Sequence, residues 1–61
     1  MVEVVYYIEN GDKLQKAIDD IIYSFPCFVD TEIVEMNFLK VTIKARQEDI
    51  ARIEKKLAIF M

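Results

Sequence analysis

Two aromatic and three basic residues are the only set in this chain with a recognisable chemical use. Phe38, Lys40, Lys44 and Arg46 recur at even spacing, and Tyr7 lies in a second extended segment. Alternation along a strand places the first four on one face. Rings that stack on bases, interleaved with cations that hold phosphates, are the chemistry of single-strand nucleic-acid binding on an open sheet. Two features weaken that reading. The glycine-bearing consensus of RNA-recognition modules is missing, and the pI of about 4.7 is acidic where a basic footprint is the rule. The plainer expectation is a solvated sheet face that also balances acids on a partner.

No other group converges on chemistry. Asp19 and Asp20 are adjacent on a helical segment, so they point about 100° apart and share no proton site. Asp12, Asp19 and Asp20 match no calcium-loop spacing. Glu32 and Glu35 have no converging partner. Ser24 would need a general base, and the chain has no histidine. Cys27 is the only cysteine, which leaves no intrachain disulfide and no zinc ligand set. A single thiol suits a reducing compartment, and beside Pro26 and Phe28 it reads as a small core hydrophobe. Gly11 is the only glycine, so there is no phosphate-cradling loop. The expectation is no catalytic residue, no metal site, no cofactor and no enzymatic activity.

Charge is divided unevenly. Residues 1–37 carry a net −6 and residues 38–61 a net +3. An acidic half of this kind fits an inhibitor-type protein that covers a basic surface on its target.

The chain has 61 residues, 54% apolar and 31% charged, which is the composition of one folded domain over 1–61. A domain this short buries only about 60% of the surface its unfolded chain exposes. With disulfides and metals set aside, association is the remaining support. No apolar run approaches the length of about 18 that spans a bilayer. The start Met1-Val2-Glu3 lacks a leader pattern, and the expected location is cytoplasmic.

The positioning elements follow from periodicity. Residues 2–8 alternate Val2, Val4, Tyr6 and Ile8 against Glu3, Val5, Tyr7 and Glu9, which predicts a strand. Asn10-Gly11-Asp12 breaks it, and Asp12 with Gln15 predicts a capping box. Leu14, Ala17, Ile18, Ile21, Ile22 and Phe25 then form one helical face, which Pro26 ends. Leu39, Val41, Ile43 and Ala45 alternate with polar neighbours as a strand. Residues 31–35 read as its hairpin partner, and a turn at Met36-Asn37 places Val34 opposite Leu39. Gln47-Glu48-Asp49 opens a second helix with the stripe Ile50, Ile53, Leu57 and Phe60 and a Glu48–Arg52 pair.

The predicted fold is therefore α+β in the order β-α-β-β-α. A three-stranded sheet of order 1-3-2 carries two helices on one face, a ferredoxin-like plan lacking its last strand. In the full plan that strand would lie beside the first. Here the first strand presents a bare edge with no proline or lysine to discourage pairing. Val4, Val5, Tyr6 and Tyr7 are the expected interface, with a second copy or a different protein as partner.

The run from Thr31 to Ala45, ending Ile-Lys-Ala, and the helix from Glu48 to Phe60 resemble the CTAG-type small dimerisation subunit of the KEOPS tRNA-modification complex. The resemblance covers about residues 31–60. It implies a non-catalytic subunit that dimerises and binds a catalytic, ATPase-like component. It transfers no site residue. An ACT-like ligand-sensing domain is a further analogy at the level of fold alone. The functional expectation is a small interaction protein, a subunit, adaptor or regulator, with nucleic-acid binding and acidic inhibition as the alternatives.

Overall fold

The computed structural model describes residues 1–61. Strand β1 (Val2–Glu9) leads into helix α1 (Asp12–Ser24). Strands β2 (Cys27–Ile33) and β3 (Phe38–Ala45) form a hairpin, and helix α2 (Gln47–Leu57) ends in a short 3-10 turn over Ala58–Phe60. The sheet is antiparallel in the order β1-β3-β2, so the predicted topology is the observed one. Central β3 is paired along both edges, and its inward residues Leu39, Val41, Ile43 and Ala45 are all buried. Ile8 from β1, Leu14, Ile18 and Ile21 from α1, and Ile53 and Leu57 from α2 complete that core.

Each helix delivers a stripe of its predicted face. Ile22 is an exception: it lies 50% exposed at the edge of the α1 stripe, with Ile18 and Ile21 taking the core side. Phe25 and Phe60 pack against the core only in part. The N-terminus of α1 also differs from expectation. Asp12 makes no capping bond, and Gly11 occupies the cap position in extended backbone. Asn10 organises the turn instead. Its Oδ1 accepts the Gly11 N–H and the Gln15 Nε2 donor, both at 2.9 Å. Gln15 thus reaches past Asp12 to a residue two positions earlier.

The hairpin register is one residue away from the expected one. Ile33, not Val34, stands opposite Leu39, and β2 begins at Cys27 rather than in the segment 31–35. Core chemistry explains the choice. With Val34 opposite Leu39, strand alternation would turn Asp30 and Glu32 to the helix side, and the Asp30 carboxylate would be desolvated in the half-buried place beside Ile43 that Val29 fills. The observed register places Cys27 and Val29 half-buried on the helix side, with Thr31 and Ile33 on the same side but exposed. It sets Phe28, Asp30 and Glu32 against Lys44, Thr42 and Lys40 on the outer face.

The turn accommodates this with three loop residues instead of two. Phe38 N–H donates to the Glu35 carbonyl at 2.7 Å, and Val34 N–H to the Phe38 carbonyl at 3.0 Å. Met36 sits between them at φ 48°, in the left-handed region. A side chain there costs roughly 1–2 kcal/mol that glycine avoids, partly offset by glycine's larger unfolded-state entropy. Met36→Gly is therefore expected to raise stability by about 0.5–1 kcal/mol in urea denaturation. A loss of stability would show that the Met36 side chain contributes more than its backbone costs.

Candidate interaction surface on the β1 edge and outer sheet face

The sheet has helices on one face only. Its outer face carries Glu3, Val5, Tyr7 and Glu9 from β1. From β3 it carries Phe38, Lys40, Thr42 and Lys44, and from β2 Phe28, Asp30 and Glu32. Alternation is visible in β1 itself: the outward residues are exposed and the inward ones are partly or fully buried. Tyr7 is 62% exposed, Phe28 69% and Phe38 44%. A shallow open hollow of about 450 Å³ lies at one end of this face, lined by Tyr7, Val34, Glu35 and Phe38.

The structure brings Tyr7, Phe38, Lys40 and Lys44 onto this common face, but Arg46 is diverted from it. Arg46 lies beyond β3 at the cap position of α2. Its Nε donates to Asp49 Oδ2 at 2.9 Å and lies 3.5 Å from Glu48. The Asp49 carboxylate, first through that hydrogen bond and then through its charge, raises the Arg46 pKa above its ordinary value. Lys44 is 3.7 Å from Glu3. The two remaining lysines share the face with four carboxylates, those of Glu3, Glu9, Asp30 and Glu32. Such a surface repels phosphate more than it attracts it.

The hydrogen-bond phase of β1 defines what its edge presents. Asn10 N–H donates to the Asn37 carbonyl at 2.7 Å, which makes this a hydrogen-bonded pair of the ladder. Such pairs alternate along antiparallel strands. Ile8, Tyr6, Val4 and Val2 therefore direct their backbone groups to β3. Glu3, Val5, Tyr7 and Glu9 direct theirs to the open edge, and no strand accepts them. On the helix side of the same edge Val2, Val4 and Tyr6 are only half-buried.

Of the four predicted interface residues, Val5 and Tyr7 are thus exposed on the outer face. Val4 and Tyr6 pack partly against the core. The Tyr6 hydroxyl donates to Glu54 Oε2 at 3.4 Å. Burial first, then the charge and hydrogen bond of Glu54, raise the Tyr6 pKa. A raised pKa in the folded state stabilises the fold below the ordinary phenol value of about 10 and loses that contribution as pH rises through the folded value. The unfolding midpoint should therefore fall at strongly alkaline pH, and Tyr6→Phe should flatten that fall. An unchanged alkaline limb in Tyr6→Phe would assign it elsewhere.

Two features were illegible in the pattern of residue types. Asp49 is 3% exposed, although it belongs to the polar opening of α2. Its signal was the arginine three residues earlier, which the strand pattern assigned to the sheet face. The predicted Glu48–Arg52 pair does not form, because Glu48 turns to Arg46. Elsewhere Asp20 bonds Lys56 at 2.7 Å between the helices, and that bond and charge lower its pKa. Cys27 is half-buried with Sγ 3.7 Å from the Ile21 carbonyl. Burial and, secondarily, the Asp49 charge raise its thiol pKa, which is the reverse of an activated nucleophile. No three acidic or cysteine side chains come together as a metal site, and no helix is long and apolar enough to cross a membrane.

Comparison with family models, with curated proteins and with solved structures finds no match.

Proposed function

We propose that this chain is a small non-enzymatic interaction protein, a subunit, adaptor or regulator of a larger assembly, that engages its partner along the free edge of β1. The observation that carries this is the edge itself. Eight residues of strand lack a neighbour on one side, with no proline or lysine among them and with Val5 and Tyr7 exposed beside the unpaired backbone. Protein edges of this length are usually shortened, charged or covered. The opposite edge, β2, has Pro26 before it and two acids, Asp30 and Glu32, within it. The uncharged run Val4-Val5-Tyr6-Tyr7 is the better template for an added strand. The small core adds a motive, since only 11 of 61 residues are buried and association would extend that burial. A non-catalytic subunit role is also what the resemblance over residues 31–60 implies.

The test is a tagged pull-down from host lysate, with and without nuclease, comparing the native chain with Val5→Lys and Tyr7→Lys. Both variants should keep their far-UV circular dichroism, because both side chains face solvent. A stoichiometric protein that survives nuclease and is lost in the variants is the expected result. Capture indifferent to both substitutions overturns the edge reading. Recovery that depends on nucleic acid would move the site to Tyr7, Phe38, Lys40 and Lys44, with binding that weakens steeply as salt rises.

A further inference from the structure

We infer that the partner along this edge is a second copy of the chain, paired antiparallel about a two-fold axis through Val5 to give one continuous six-stranded sheet. The inference rests on the edge reading above and adds the identity and register of the partner.

Backbone phase limits the choices. The edge groups belong to Glu3, Val5, Tyr7 and Glu9, so only registers that set odd residues against odd residues let two copies exchange hydrogen bonds. Two symmetric registers, with the axis through Val5 or through Tyr6, keep seven of the eight residues of β1 opposite one another; an axis through Val4 or Tyr7 keeps five. An axis through Tyr6 sets Glu3 directly against Glu9 of the other copy, twice, and like charges in that position are destabilising. An axis through Tyr7 carries the partner past Glu9 into the Asn10-Gly11 break and shortens the ladder. The axis through Val5 sets Val2–Ile8 of each copy against one another and leaves only Glu9 opposite Met1.

That register is also complementary in charge and shape. On the outer face Val5 meets Val5, and each Glu3 meets Tyr7 of the other copy. Each Glu3 keeps Lys44 of its own β3 on its other side, at 3.7 Å. Tyr7 likewise has its own Lys40 opposite. The cross-sheet row then reads Lys44, Glu3, Tyr7, Lys40, with no like charges adjacent. Val5 and Met1 of the second copy become the diagonal neighbours of Tyr7, within reach of its ring. On the helix side Val2 meets Ile8 and Val4 meets Tyr6, which covers the apolar residues that one copy leaves half-buried. Every exposed apolar group along the edge gains an apolar or aromatic neighbour.

The purified chain alone provides the test. Light scattering should give twice the 7.2 kDa chain mass, falling to a single chain mass in Val5→Lys with circular dichroism unchanged. Register is read by cysteine pairing in a Cys27→Ser background. Facing residues of a hydrogen-bonded pair have Cα atoms about 5.5 Å apart, inside the range a disulfide spans. Val5→Cys should cross-link to itself on mild oxidation, whereas Tyr7→Cys should link only when mixed with Glu3→Cys. A monomer up to roughly millimolar concentration, the weak limit of specific association, overturns the inference, as does a dimer indifferent to Val5→Lys. Self-linking of Tyr7→Cys in preference to Val5→Cys overturns the register. A monomeric chain whose lysate partner is nonetheless lost in Val5→Lys would reject the second copy and leave the edge reading standing. If that variant retains the partner, both fail.

Discussion

Ile43→Ala is expected to lower the unfolding free energy by about 2–5 kcal/mol, the range for emptying a buried isoleucine site. Ile43 lies at the centre of β3, opposite Val4 on one side and Val29 on the other, and is fully buried. Removing its branched side chain takes away apolar area and leaves a cavity between sheet and helices that neither neighbour can reach across. The effect is large against the whole. A chain of this length has a total stability of roughly 3–9 kcal/mol. The variant should therefore lose roughly half of its stability, and its urea midpoint should fall accordingly. Ile22→Ala is the control, since Ile22 is half-exposed on α1 and should cost less than about 1 kcal/mol. Equal losses at the two positions would mean that the observed division between core and surface is wrong.

Arg46→Ala is expected to destabilise the fold more than Asp49→Ala, although the two side chains form one ion pair. The asymmetry comes from burial. Asp49 is 5% exposed in its side chain, whereas Arg46 is half-exposed. Deleting the arginine leaves a buried carboxylate without its cation, and a buried acceptor that loses its partner costs about 1–3 kcal/mol, more when charged. Deleting the aspartate returns the guanidinium to water with Glu48 still 3.5 Å away. The loss is then a modest helix-terminus contribution of about 0.3–1 kcal/mol. Thermal unfolding of both variants measures the difference. The thiol of Cys27 supplies a second readout, because Asp49 adds to the burial that raises its pKa. Asp49→Ala should make that thiol titrate at lower pH. Equal destabilisation by the two substitutions would show that the pair is exchanged for water without penalty.

The two faces of the sheet divide the protein's roles. Beneath the helices, four β3 residues and six partners hold the fold together. On the other side, cations and acids stand in cross-strand rows that leave Val5, Tyr7, Phe28 and Phe38 exposed among them. Four carboxylates stand against two lysines on that face, spread along the rows rather than massed. It is the uncovered backbone of β1, more than any side-chain cluster, that directs attention to association.

Element order, the buried faces of β1, β3 and both helices, and the bare first edge were all legible in the residues. Each depends on a period, two or nearly four, that holds within a single segment. That Val4 and Tyr6 face inward and Val5 and Tyr7 outward was legible for the same reason. The hairpin register was not, because no glycine marks the turn, and the choice was made between segments by the cost of burying Asp30 where Val29 now packs. Arg46 continues the strand's alternation by one step, yet its side chain is taken by Asp49 once α2 starts immediately beyond it. Asn10 orders the entry to α1 because Asn37 comes to rest beside it, 27 residues away in the chain. Local periodicity determined which residues face inward; the tertiary structure alone decided which partners they meet, since desolvation and pairing are settled only when distant segments close on one another.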